Sequence, residues 1–484
     1  MYSYILVPAK VNLIIVILAI AIYGLFITLG PSALASTAGL PSSETSNFSL
    51  SPPLSDNASG CVMFNSKERV ISITCKTSTL TDIYNQINDK NILNKETPDG
   101  VWLLNAGITI EPDAKLVIDG RDTKWLKMTA GETSSDTSDN TNGDDEEEVG
   151  GGEGESVHAI RVHGSLNIDS VKITSWDPTV NEYIRFESDI LPGREFEHTG
   201  IDAIPRPYIR VEDDATGTTN ITNSEIAYLG YECGGGCSGI SYYGNSGDDN
   251  NDDESDVSSN DNTIFNRTGA LHQGTSILKG NHIHHNRFGF YSVGIGNMIL
   301  EDNHVHHNFI YGFDPHTGTH DMIIRNNTVH DHGAMGIICS LNGYNVLIEN
   351  NNVSNSAGSG IMFSRNMTNS IARNNYVHNE EQCIFVSQSH NNKIYNNTVN
   401  NCRNGIYLKN KSSNNSIFNN MIQNVNGSAV LINDGATDNS IYSNTIVNPS
   451  SEEEAIHNDE QGSNTIENNK VVQSPFSKSI DNLK

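Results

Sequence analysis

A chain of 484 residues with 36% hydrophobic content can form one large solenoid or two ordinary domains, and its core can be sizeable without help from disulfides. The formal charge of −29 excludes nucleic acid as a partner, because no basic stripe exists to release counterions. Seventeen of the excess negative charges fall in two segments that contain no Lys or Arg, 131–156 and 246–262, leaving about −12 for the remainder.

The N-terminus reads as an export element. Lys10 opens an almost unbroken apolar run from Val11 to Leu29, which leads to Ala33-Leu34-Ala35, a small-x-small cleavage pattern. Residues 1–35 are therefore a signal peptide. The run is also long enough to span a bilayer, so an uncleaved anchor stays open as the alternative and as the chain's one route to a membrane. Either way the remainder is extracytoplasmic: secreted, periplasmic or on the cell surface. Residues 36–60, rich in Ser, Pro and Thr, form a linker. Residues 61–100 are expected to cap the open end of the repetitive region C-terminal to them, which would otherwise expose unpaired strand edges. The two acidic segments cannot bury enough apolar surface to order themselves and are expected as disordered surface inserts. In an exported chain seven cysteines permit disulfides; the sequence-near pairings are Cys61 with Cys75, Cys233 with Cys237, and Cys383 with Cys402, leaving Cys339 as a buried thiol beside an apolar strand.

The second half of the chain repeats. An Asn-x-Val/Ile tripeptide begins at Asn281, Asn303, Asn327, Asn351, Asn375, Asn397, Asn420, Asn444 and Asn469, with steps of 22 to 25 residues. Such a period means a solenoid or an array. Gly289-Phe290, Gly312-Phe313, Gly336-Ile337, Gly360-Ile361 and Gly405-Ile406 run in phase with it, so each repeat holds two or three short strands. These strands are three to five residues long, alternate in polarity and favour Ile and Val, which is β rather than α grammar. A coil of about 23 residues with recurrent Asn predicts an all-β, right-handed parallel β-helix over 101–475, its asparagines stacked in hydrogen-bonded ladders. The same grammar is looser upstream, at Val101 to Gly107, Ala159 to Ser175 and Thr219 to Gly230, and residues 476–484 are a tail.

One coil departs from its neighbours: Tyr311-Gly312-Phe313-Asp314-Pro315-His316 supplies a phenol, a carboxylate and an imidazole where the phase predicts apolar or small residues. Aligning Gly312 with Gly336 and Gly360 puts Asp314 over Ile338 and Met362, and His316 over Ser340 and Ser364, with Tyr291 one coil before Asp314. If Phe313 points inward, alternation sends Asp314 and His316 to the same outer face.

This string resembles the signature of mannuronan C5-epimerases, the alginate-modifying enzymes, especially the periplasmic single-module kind. The resemblance extends to Ala227 to Tyr231, Phe288 to Tyr291 and Gly336 to Ser340, and covers roughly Trp102 to Asn448 apart from the inserts. It implies an isomerase acting on an acidic polysaccharide, poly-mannuronate to guluronate-containing alginate. His316 would be the base that removes the sugar C5 proton, Asp314 its support or a substrate contact, and Tyr311 the acid on the opposite face. Tyr291, Pro315 and Ser340 would line the substrate. The family members that this chain resembles carry an arginine just after the serine matching Ser340, where this sequence has Leu341. The cation that neutralises the uronate must come from elsewhere, and Arg365, one coil on, is the candidate. No cofactor is implied, calcium is left open, and the chain is expected as a monomer.

Two rivals share the fold: a polysaccharide lyase, in which the same carbanion expels the 4-O-glycosidic oxygen, and a non-enzymatic surface β-helix that binds carbohydrate or copper. The latter rests on His282, His284, His285, His304, His306 and His307, since imidazoles at i and i+2 of a strand share a face. They read as a polar ladder with no metal, because no carboxylate or thiolate completes a site. His320, His330 and His332 read as groove or turn residues.

Overall fold

The computed structural model describes residues 60–131, 157–186, 205–233, 236–244, 274–449, 455–460 and 463–473. The chain divides into two compact units, Met1–Pro53 and Leu54–Lys484, and all described residues belong to the second. The export element, most of the linker, the acidic inserts beyond Gly131 and the C-terminal tail lie outside the described residues.

Short strands wind into three long sheets of 14, 14 and 12 strands. Along each sheet, neighbouring strands come from successive turns of the chain and pair in parallel, the arrangement of a right-handed parallel β-helix. The periodicity and its fold class are thus realised. The exceptions are at the N-terminal end, where Val62–Asn65 pairs antiparallel with Val70–Ile73, and Leu93–Thr97 with Val101–Leu104. Between these pairs sits the helix Leu80–Ile87, begun by a capping box in which Thr79 and Asp82 satisfy each other's backbone N–H groups.

Each sheet contributes an inward column. The middle residue of the Asn-x-Val/Ile strand supplies Ile283, Val305, Val329, Val353, Val377 and Val399; the first sheet supplies Phe290, Phe313, Ile337, Ile361 and Ile384; the third sheet supplies Leu278, Leu300, Ile324 and Ile348. All are fully buried in one continuous core. Burying each such side chain contributes roughly 1.5–3 kcal/mol, which offsets the ordering of a chain with few other large apolar groups.

The asparagines explain themselves at the corners. From Asn281 to Asn469 each side-chain Nδ2 donates to the Oδ1 of its counterpart one coil on, at 2.9–3.0 Å over all eight steps. Asn351, for example, also accepts from the Asn327 backbone N–H at 3.0 Å and donates to the Ile324 carbonyl at 2.9 Å. An amide alone among side chains offers both donors and acceptors in one plane for such a stack. The residues just before ladder members, Asn350, Asn374, Asn396 and Asn419, take left-handed backbone conformations with φ of 55–56°, which asparagine tolerates. A second ladder, not anticipated from the repeat, links Asn415, Asn439 and Asn464 at another corner.

The in-phase glycines have a steric cause. A Cβ at Gly312 would lie 2.4 Å from the Gly336 carbonyl oxygen, so the coils meet there too closely for any side chain. This fixes the start of the glycine-led strands of the first sheet, and with it the register of the residues after each of those glycines.

Three disulfides, Cys61–Cys75, Cys233–Cys237 and Cys383–Cys402, match the sequence-near pairings, and Cys339 is a buried free thiol. They are the bonds of a protein that matures in an oxidising, extracytoplasmic compartment.

Candidate active site

The strand Phe313–His316 lies in the first sheet between Phe288–Val293 and Ile337–Ser340. Its register is the one read from the repeat: Tyr291 pairs with Asp314, and Phe313 with Ile337, which carries Asp314 to Ile338 and His316 to Ser340; Ile338 and Ser340 in turn pair with Met362 and Ser364. Phe313 is in the core, so alternation puts Asp314 and His316 together on the outer face. Pro315 alternates inward with Phe313, stands beside the buried Ser292 and is itself buried. Facing inward, it shapes the strand.

His316 is held by two bonds. Its Nδ1 is 2.7 Å from the Thr317 hydroxyl, and its Nε2 is 3.2 Å from a guanidinium nitrogen of Arg365. Arginine can only donate, so Nε2 is the acceptor and the proton of the neutral ring is on Nδ1, the tautomer that satisfies both contacts. Burial, and secondarily Arg365, push the ring's pKa down to about 4. The imidazole is therefore a neutral base at ordinary pH. Arg365 reaches it from two coils away: it follows the strand Ser359–Ser364 and stands in the left-handed region with φ 52°. Leu341 occupies the corresponding turn of the intervening coil, also at positive φ, so an aliphatic side chain stands between the arginine's turn and the histidine's.

Asp314 is 2% exposed and its Oδ1 has no hydrogen-bond partner. Burial raises its pKa to about 8, against the opposing pull of Arg365 and Arg287. It is mostly a neutral acid at pH 7, and the hydrogen-bond partners of His316 are Thr317 and Arg365. Tyr311 is half-buried, with its ring 5.0 Å from that of Phe288. Burial and then the nearby Asp314 carboxyl raise its pKa, so its phenol keeps its proton. Tyr291 places its ring 5.6 Å from the His316 ring and 5.7 Å from Phe288. Ser340 is fully buried with its Oγ unpartnered.

The structure thus brings His316, Arg365, Asp314, Tyr311 and Tyr291 together. It adds Arg287, which the sequence reading missed: buried, ion-paired with Glu232 and lying over the Phe288 ring at 4.6 Å, it acts electrostatically on both Asp314 and Tyr311. The one available signal was a cation immediately before Phe288-Gly289-Phe290-Tyr291 in a chain with only 29 Lys and Arg. Farther along the same outer column stand Arg161 and Arg210, both paired with Glu212.

The fold and this surface define the class: a right-handed parallel β-helix protein with a polar, arginine-bearing face on one sheet. The family description "Right handed beta helix region" matches residues 317–471. No curated protein sequence matches the chain. Among solved structures it is similar to the periplasmic alginate epimerase AlgG, with a TM-score of 0.63 and 20% identity over 83% of this chain and 85% of that one. It is also similar to the A-module of the Azotobacter vinelandii mannuronan C-5 epimerase AlgE6, with a TM-score of 0.48 and 14% identity over 77% and 89%. A lacto-N-biosidase from Eubacterium ramulus is a third, with a TM-score of 0.41 and 10% identity over 75% and 63%. These neighbours are named for action on carbohydrates; at such identities the likeness concerns the fold.

Proposed function

We propose that this protein is a polyuronate C5-epimerase acting outside the cytoplasm, in the periplasm, at the cell surface or as a secreted enzyme, with poly-mannuronate as its polymer. The observation that carries the reading is the 3.2 Å approach of Arg365 to the unprotonated Nε2 of His316 on the outer face of the first sheet. A base and a fixed cation occupy one spot, which is what abstraction of a proton α to a carboxylate requires. AlgG, whose fold this chain resembles, is named a periplasmic alginate epimerase.

In this mechanism the uronate carboxylate draws the Arg365 guanidinium to itself and frees the Nε2 lone pair. His316 takes the C5 proton, and the C5–H electron pair moves into the carboxyl group as an enolate. Arg365 neutralises that charge, and Asp314, protonated at neutral pH, donates a hydrogen bond to it. Tyr311 returns a proton to C5 from the opposite face, inverting the centre, and the imidazolium and phenolate then re-equilibrate through solvent. Tyr291 offers a ring beside His316 on which the sugar can lie. The charge problem of an acidic protein holding a polyanion is met locally by Arg365 and Arg287.

Proton NMR of poly-mannuronate incubated in D₂O with wild type and with His316→Ala tests this. The expected result is deuterium at C5 and guluronate signals with the wild type, lowered by about 10²–10⁴-fold in the variant. Equal exchange by the variant would reject His316 as the base. Growth of ultraviolet absorbance from an unsaturated product in place of guluronate would assign the same residues to β-elimination, making the enzyme a lyase.

A further inference from the structure

The second sheet carries a different polar face. His282 stands in register with His304, and His284 with His306 and then His330, while the turn residues His285 and His307 stack beside them at 5.5 Å. These rings meet nitrogen to nitrogen: His282 Nε2 to His306 Nε2 at 2.5 Å, His304 Nε2 to His330 Nε2 at 2.8 Å, and His306 Nδ1 to His307 Nδ1 at 2.8 Å. Structural stacking alone does not call for imidazole, since this same solenoid builds its corner ladders from asparagine. Nor does the chemistry proposed above use any of them, for it lies on the first sheet. Two facing ring nitrogens at this separation hold one proton between them or, opened slightly, one metal ion.

We propose that His282, His304 and His306 bind a divalent transition-metal ion of the zinc, nickel or copper(II) type. One ligand nitrogen from each lies within 4.8 Å of the other two. Imidazole suits ions of this borderline softness, and three imidazoles with a fourth position left to water are a complete donor set for zinc. Nitrogens bound tetrahedrally at ~2.0–2.1 Å from zinc stand roughly 3.3 Å apart, so the His282 and His306 nitrogens need part by less than about 1 Å. Because His282 belongs to one coil and His304 and His306 to the next, the ion ties two successive coils together. Adjacent to it, His307, His330 and Asp331 form a second trio, with His330 Nδ1 held 2.6 Å from the Asp331 carboxylate. A carboxylate is thus present where the sequence reading anticipated none.

Calorimetric titration of the chelator-treated full-length protein with zinc chloride tests the site. Saturable binding by the wild type is expected, with a raised unfolding temperature in zinc, because an ion that binds only the folded chain stabilises it. His304→Gln combined with His306→Gln is expected to weaken binding at least about 30-fold and to abolish the thermal shift. Should that variant not fold, His304→Gln alone decides: its ring is exposed, and a loss of at least about tenfold is expected. Absence of saturable zinc binding by the wild type, or unchanged affinity in a folded variant, overturns the proposal. Neither readout depends on any activity toward polysaccharide, so its failure and that of the epimerase reading are separable.

Discussion

Replacing Asp314 with asparagine is expected to stabilise this protein while damaging its chemistry. The wild-type carboxyl is buried, its Oδ1 is unpartnered, and its pKa rises from 3.8 to about 8. A carboxyl with a raised pKa keeps in the folded state a proton that the unfolded chain releases. Its contribution is therefore most favourable below pH 4, worsens as the pH rises through the window from 4 to 8, and levels off above that. At pH 7 about three pKa units of that window have been crossed, a ceiling of about 4 kcal/mol at 1.36 kcal/mol per unit. Asparagine is isosteric with the neutral acid and does not titrate, so Asp314→Asn removes the penalty, less whatever its new amide protons cost unpaired. Urea denaturation of both proteins at pH 4, 6, 7 and 8 measures this. Whatever the constant amide cost, the stability difference should move by about 1–4 kcal/mol in favour of the variant between pH 4 and pH 7–8. Glu380, whose pKa burial raises to about 9, tilts both proteins equally and cancels in the difference. Parallel stability profiles for the two proteins would refute the claim that Asp314 is held protonated.

The same two groups set the activity profile: kcat/KM should rise as His316 loses its proton near pH 4 and fall as Asp314 loses its own near pH 8, and a profile lacking both limbs would contradict their roles. Arg365→Met removes a charge-assisted contact of roughly 1.5–3 kcal/mol, so KM for the uronate polymer should rise about 10–150-fold. Because Arg365 depresses the pKa of both His316 and Asp314, both limbs should also move to higher pH, a shift that a merely structural arginine would not produce. Asn351→Ala strands the Asn327 donors and the Ile324 and Asn375 acceptors inside the ladder and should cost about 2–5 kcal/mol in thermal or urea unfolding, with kcat unchanged at temperatures where the protein stays folded.

The fold was legible because its period is enforced twice. Asparagine recurs where its amide alone can stack and where a left-handed turn precedes it, and glycine recurs where coils leave no room for a Cβ. With Gly312 aligned on Gly336, the positions of Asp314, His316, Ile338 and Ser340 come from counting. What counting could not supply were contacts made by long side chains across coils. That Arg365 spans two coils to reach His316, past Leu341, depends on a turn geometry that the repeat does not encode. Arg287 stands at the entry to its strand and pairs with Glu232 from an irregular segment, where no phase exists to align them. The burial of Asp314 was invisible for a similar reason, and of the two roles expected of the carboxyl, support of His316 or a substrate contact, a carboxyl held neutral favours the second.

A crystal structure of His316→Gln with a mannuronate oligomer bound would test the central claim most directly. The oligomer should lie across the strands Phe288–Val293, Phe313–His316 and Ile337–Ser340, with one carboxylate on Arg365 and the C5 of that sugar within about 3–3.5 Å of the residue 316 side chain. An oligomer seated on either of the other two sheets, or with Arg365 turned away from its carboxylates, would contradict the account.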